Sequence, residues 1–370
     1  MTQLDGIVLT PEGYLRGRID LSNDSIAQIS GTPVSEAEAR DSGLPIHIPG
    51  FVDLHVHGGG GRDIMDAGDA APTVARLHAR FGTTAMLATT MTAPMEDIVV
   101  ALRALAPHIA NRPRQGARLL GVHLEGPYIN SGKLGAQPDF TSAGTLDEFL
   151  ALGALAPVRS ITLAPEIKGS MELIPQLVKL GIRVQLGHSL ASYEDGCHAL
   201  ECGAHGFTHL FNAMTGMHHR TPGLAGAALA HARYAEIIPD LLHVHPGAIR
   251  VALRAIPDLY CVSDSTAATG MPDGDYQLGR QRVTKCLGGV RLADGTLAGS
   301  TLTMDQALRN LVSLGLTLRD ASRRTSTLPA AFLGLSDRGR LATGCFADIV
   351  TLDRDLEISA VHVEGERIER

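Results

Sequence analysis

The chain has 370 residues, 44% hydrophobic and 19% charged, with no Trp and a formal net charge of -7. That length holds one large domain plus a smaller one, and the acidic balance argues against a nucleic-acid or anionic-membrane partner, though not against a small anion in a locally positive pocket. The five Cys lack CxxC spacing, no apolar run reaches 18 residues, and the start lacks a basic segment followed by an apolar core, so the expectation is a soluble, cytoplasmic protein in a reducing compartment.

Residues 1–49 carry short strand-like runs, Ile7-Val-Leu-Thr, Tyr14-Leu-Arg-Gly-Arg-Ile and Ile26-Ala-Gln-Ile, separated by Pro, Gly, Asn and Asp turns. Residues 335–370 repeat the texture in Arg340-Leu-Ala-Thr-Gly, Ala347-Asp-Ile-Val-Thr-Leu and Val361-His-Val-Glu-Gly. Neither stretch alone buries a sheet face. Together they are expected to form a small, discontinuous β-sandwich domain from 1–49 and 335–370. Residues 50–334 alternate. Strands are expected at 51–56, 83–87, 119–124, 160–163, 183–186, 206–208, 236–238 and 259–262, and helices at 70–80, 95–110, 146–155, 171–180, 193–202, 248–256 and 304–312. Strands in this number over roughly 250 residues read as an α/β fold of the (β/α)8 TIM-like barrel class. An open doubly wound sheet also alternates, but it gathers its ligands at one switch point.

Six metal or proton-transfer ligands follow these apolar runs: His55 and His57, Glu125, His188, His209 and Asp264. His55 and His57, two apart in a strand, face the same side, and the glycines at 58–61 let the chain turn sharply after them. Imidazole suits Zn, Fe, Ni or Cu, and a carboxylate such as Glu125 can bridge two ions. Asp264 suits the transfer of a proton from water to a leaving amine, or an ordinary helix N-cap. Taken singly, each has a bland reading, as a solvated histidine pair or a surface Glu. The agreement of residue type with strand-end position is what points to a metal centre at a barrel mouth, and so to hydrolysis. His78, His108, His198 and His231 lack that placement and read as surface or packing residues.

The stretch Pro49-Gly-Phe-Val-Asp-Leu-His-Val-His-Gly resembles the opening of the amidohydrolase superfamily. Leu124-Glu-Gly-Pro-Tyr, Leu186-Gly-His-Ser, Thr208-His-Leu-Phe-Asn-Ala-Met, Arg220-Thr-Pro-Gly and Leu297-Ala-Gly-Ser-Thr-Leu-Thr-Met narrow the resemblance to the N-acetylglucosamine-6-phosphate deacetylase family, from about residue 49 onward. The resemblance implies Glu125, His188 and His209 as core metal ligands and His55 and His57 as a second metal position. It implies Asp264 as the catalytic acid/base, and Ala136, Gln137, Asn212 and Ala213 as substrate contacts. Arg220 and His243 match a phosphate-binding pair, and Leu297, Ala298 and Gly299 a loop over the sugar. One or two divalent ions are implied, zinc first, with Fe, Mn, Co or Ni as alternatives. In related proteins a phosphate contact can come from a partner subunit, which implies a homodimer.

Two departures stand out. Many members carry His where this chain has Gln137, which donates an N–H but cannot become cationic. The family's Asp-Gly before the phosphate-binding His reads Asp240-Leu241-Leu242 here, with Leu241 in place of a flexible Gly. The activity implied is deacetylation of N-acetylglucosamine 6-phosphate. The alternatives are the galactosamine epimer, a non-phosphorylated N-acyl substrate, and an inert sugar-phosphate sensor.

Overall fold

The computed structural model describes residues 2–370. Eight parallel strands form the core: β1 (Phe51–Val56), β2 (Thr83–Thr89), β3 (Arg118–Glu125), β4 (Val158–Leu163), β5 (Arg183–Leu186), β6 (Gly206–Phe207), β7 (Tyr234–Ile237) and β8 (Asp258–Cys261). β1 to β6 make one sheet in that spatial order, and β7 pairs with β8. Single bonds complete the ring: Leu210 N–H to Glu236 O at 2.9 Å joins β6 to β7, and Asp264 N–H to His55 O at 3.0 Å joins the end of β8 to β1. Almost every residue of these strands is buried, as expected where a parallel sheet is covered on both faces.

Helices Ala70–Arg80, Met95–Ala110, Leu146–Gly153, Ser170–Lys179, Tyr193–Glu201, Pro246–Ala255 and Met304–Ser313 lie where the periodicity expects them. Local chemistry sets their starts. Ser192, for instance, accepts from Asp195 N–H while the Asp195 side chain accepts from the Ser192 backbone. Helix Gly223–His231 was not anticipated, because Gly-Leu-Ala-Gly-Ala-Ala-Leu-Ala has no polar face to give it a period. Nor was an antiparallel sheet over the mouth, β9 (Gly274–Leu278), β10 (Gln281–Cys286) and β11 (Gly289–Arg291), whose strands are largely polar.

Both ends of the chain share one seven-stranded sheet, separate from the barrel. Strands Thr2–Thr10, Gly13–Ser22 and Ser25–Val34 run as a meander. Asn23, at φ 53°, makes the tight turn between the second and third. Strand Ile46–Pro49 pairs parallel to the first strand and antiparallel to Ile349–Leu352. One face buries Ile7, Leu9, Ile46 and Ile48 in the main core, and the other encloses Val8, Ile19, Leu21, Ile26, Leu341, Ala347 and Ile349.

Candidate metal centre and its pocket

Five of the eight strands deliver His55, His57, Glu125, His188, His209 and Asp264 to one end of the ring, at 0%, 3%, 1%, 4%, 5% and 7% exposure. Glu125 is the hub. Its Oε1 lies 3.2 Å from His188 Nε2 and 3.1 Å from His209 Nε2. Its Oε2 lies 3.1 Å from His57 Nε2, and its Oε1 3.4 Å from His55 Nε2. Asp264 Oδ1 stands 3.5 Å from His55 Nε2 and 3.4 Å from His57 Nε2. Two donor sets therefore share Glu125: His55 with His57, and His188 with His209.

The hydrogen bonds behind the rings fix which nitrogen carries the proton. His55 donates from Nδ1 to Glu236 Oε2 at 3.0 Å, His57 to Thr89 O at 3.2 Å, and His188 to Lys133 O at 2.9 Å. Each Nε2 is left with its lone pair facing the centre. Yet His55 and His57 Nε2 approach to 3.1 Å, as do those of His188 and His209. Acceptors this close, grouped around a carboxylate, call for positive charge between them. Burial lowers the affinity of His55 for a proton, but Glu125, Asp264 and Glu236 outweigh it and hold the imidazole pKa well above its ordinary value. Burial likewise raises Asp264, but His55 and His57 outweigh it and bring the carboxyl to about 2. Protons or a divalent cation can meet this demand, and the His/carboxylate donor set fits the cation.

The backbone carries strain here. His188, His209, Ala213 and Asp264 hold φ values of 49°, 29°, 49° and 51°. Such conformations cost roughly 1–3 kcal/mol each in non-glycine residues, and they collect at functional sites. Gly58 answers a different need. A Cβ there would lie 2.5 Å from Arg62 O and 2.6 Å from Ala267 N, so only glycine lets the turn after His57 close.

A cavity of about 200 Å³ opens onto this cluster. Of the residues anticipated as substrate contacts, Ala136, Gln137, Asn212, Ala213, His243, Leu297 and Gly299 line it. Ala298 is buried beside it, against Met91, Leu278 and Val290. Arg220 does not reach it. Its side chain is exposed and rests on His219 at 2.7 Å. Gln137 is held at both ends: its Oε1 accepts from Thr92 N–H at 2.7 Å and its Nε2 donates to Glu125 Oε2 at 2.6 Å. The Thr92 donor settles which way the amide faces, so one of its N–H groups is committed to Glu125 rather than to a substrate carbonyl. Leu241 keeps the left-handed backbone that a glycine would favour, at φ 65°. Leu241 thus holds a conformation that is strained for a residue with a side chain. That loop presents His243, whose Nδ1 lies 2.7 Å from Asp240 Oδ2. Burial lowers the His243 pKa, the Asp240 contact outweighs it, and Asp264 and Arg291 add smaller influences of opposite sign.

Sequence reasoning missed the layer beneath the ligands. Glu236 is fully buried in β7 and accepts from His55 Nδ1, from Gln185 Nε2 at 2.7 Å and from His209 N–H at 3.2 Å. His123, fully buried in β3, binds Thr162 Oγ1 at 2.7 Å. A charged residue inside the apolar run Ala235-Glu-Ile-Ile was the available signal. Met91 and Leu278, which also line the cavity, gave none.

The sequence matches the amidohydrolase family over residues 46–368. It is 39% identical to the N-acetylgalactosamine-6-phosphate deacetylase of Escherichia coli O157:H7, over 97% of each chain. It is also 39% identical to the N-acetylglucosamine-6-phosphate deacetylase of Vibrio furnissii, over 86% of this chain and 82% of that one. Among solved structures it is similar to the N-acetylglucosamine-6-phosphate deacetylase of Thermotoga maritima, at TM-score 0.91 and 32% identity over 100% of both chains. A Mycobacterium smegmatis N-acetyl-D-glucosamine-6-phosphate deacetylase mutant, in complex with N-acetyl-D-glucosamine-6-phosphate, matches at TM-score 0.91 and 35% identity, over 99% of this chain and 98% of that one.

Proposed function

The chain belongs to the amidohydrolase family, in its N-acetylglucosamine-6-phosphate deacetylase branch, and from that premise we propose that it hydrolyses N-acetylglucosamine 6-phosphate to glucosamine 6-phosphate and acetate. The observation that carries this reading is the convergence of Glu125, His188 and His209 with Asp264 at the floor of a sugar-sized pocket. Glu125, His188 and His209 would hold one divalent ion, and His55 and His57 would share Glu125 with a second. Zinc suits these donors best, with Fe, Mn, Co or Ni as alternatives. When bound, the cation polarises the amide carbonyl and lowers the pKa of water.

Asp264 does the proton work. Its Oδ1 stands 3.5 Å from His55 Nε2 and 3.4 Å from His57 Nε2, where it can accept a proton from the attacking water. It then delivers that proton to the sugar nitrogen as the C–N bond breaks, while water's oxygen and its second hydrogen leave as the carboxyl group of acetic acid, which releases that hydrogen to solvent as it becomes acetate. Gln137 holds Glu125 in place. Asn212 and Ala213 lie where the sugar would rest, and Leu297 and Gly299 close over it. His243 stands in reach of the phosphate end. Because Arg220 lies outside its own chain's pocket, a homodimer in which it serves the partner subunit's pocket is part of the proposal. Free cysteines at 197, 202, 261, 286 and 345 support a reducing, cytoplasmic setting. No helix among the described residues is long and apolar enough to cross a membrane.

The galactosamine epimer is the alternative, since one relative with that name matches along nearly the whole chain. The glucosamine reading is favoured by the bacterial and vertebrate relatives and the solved structures that carry the glucosamine name. Acetate release from both sugar phosphates, measured side by side on metal-quantified protein, tests the proposal. Turnover with a higher kcat/KM on the glucosamine compound supports it. No turnover on either, with metal bound, sinks it.

A further inference from the structure

Arg291 ends β11, and it pairs antiparallel with Leu297 across the strap that closes the pocket. Residues directly opposite in an antiparallel pair project to the same face. Leu297 lines the cavity, and Arg291, exposed and not itself part of the lining, stands beside it on the same face of the strap, at the rim. A second measure gives its direction. A Cβ built on Gly289 would lie 3.7 Å from Leu242 Cδ1 and 4.0 Å from Arg291 Nε, so the Arg291 side chain runs past Gly289, where Leu242 of the turn that carries His243 also packs. The guanidinium makes a single bond, from Nη1 to Gly295 O at 2.8 Å, and no carboxylate pairs with it among the described residues. Asp264 and Arg291 both lie near enough to His243 to act on its charge, with opposite sign.

We propose that Arg291 is a specificity-determining residue of this pocket, binding the phosphate of the substrate in the same subunit, together with His243. The inference rests on the reading of the substrate as a phosphorylated sugar. An unpaired guanidinium at a half-open rim has donors left over for two phosphate oxygens, and its planar fork suits them better than an ammonium would. The one bond to Gly295 holds the side chain near its working position, so little ordering remains when the anion arrives.

The test is kinetic. The wild type, Arg291→Ala and Arg291→Lys are assayed on N-acetylglucosamine 6-phosphate and on N-acetylglucosamine, with thermal melting to confirm equal folding. Inhibition by glucosamine 6-phosphate is measured alongside. For Arg291→Ala the expected result is a KM at least tenfold higher on the phosphorylated sugar. The preference for phosphorylated over plain sugar falls by a similar factor, and the inhibition constant of glucosamine 6-phosphate rises at least fivefold. Arg291→Lys should recover part of each. Equal losses on both sugars would mean that Arg291 only braces the strap, and would overturn the proposal. So would an unchanged KM and inhibition constant in a wild type that does prefer the phosphorylated sugar, which leaves the functional reading standing. A wild type without that preference overturns both.

Discussion

At the barrel mouth, His188, His209 and Asp264 sit on left-handed backbone, and their buried side chains present lone pairs and negative charge to one another. In the sheet built from the chain ends, buried charge is matched within the protein: Arg338 donates to Asp348 at 2.9 Å and to Glu364 at 3.3 Å, and Arg118 adds a pair of bonds to Glu364 at 2.7 and 2.8 Å. Both regions bury polar groups. Only the mouth crowds lone pairs and carboxylates around common points that a cation would fill. A region that completes itself contributes stability, whereas one that stays incomplete contributes chemistry and gives up some stability to do so.

The contrast breaks if changes at the mouth act mainly on stability, or changes in the terminal sheet mainly on turnover. Asp264→Asn should have the largest effect, a loss of about 10²–10⁴-fold in kcat with melting temperature and metal content retained. Near-normal acetate release from that variant would end its assignment as acid/base. Arg338→Ala should cost about 3–5 kcal/mol, because it strands the carboxylate of Asp348 in the interior. Denaturant unfolding reads this, and turnover per folded molecule should hold. Glu236→Gln sharpens the comparison, since it changes the mouth from below. Its amide should bind His55 less well, weakening metal affinity by about 10–100-fold in chelator competition.

The smallest expected effect is a pH dependence in the terminal sheet. Burial, then Arg367 and His47, lower the His362 pKa from 6.5 to about 4. Between those values the unfolded chain takes up a proton that the folded chain refuses, so stability falls as pH drops through the window. Asp348, raised from 3.8 to about 6 mainly by burial, works in the opposite sense over much of the same range. The difference between wild type and His362→Gln isolates the first. From pH 6.5 to 4.5 the wild-type melting temperature should fall relative to the variant's. A constant difference would refute the assignment.

The barrel was legible because each parallel strand is a short buried run, and the residue after it faces the mouth whatever else the loop does. His55, His57, Glu125, His188, His209 and Asp264 could all be read that way. Glu236 and His123 could not, since each stands alone in its run, without a second ligand two residues on as His57 gives His55 and outside any recognised motif, and sequence alone does not show whether such a residue faces the pocket or the core. The sheet at 274–291 went unseen for another reason. Its strands are exposed and charged, held by pairing and by a few apolar side chains such as Leu278 and Val283, so no hydrophobic period marks them. Arg220 was legible as a motif but not as a position. A loop's reach depends on where the chain turns, and His218 and Thr221 bridge to fold that loop outward.

The pairing of Ile46–Pro49 with strands from both ends of the chain also bears on how the protein is made. Its first neighbour exists before it does, while its second arrives only at residue 349. At ordinary rates of synthesis the intervening stretch takes roughly 15–60 s to emerge. For that time Ile46 and Ile48 stand at an open sheet edge, and such edges recruit other chains. The ribosome's delay thus makes this edge the part of the nascent chain most open to pairing with a neighbour.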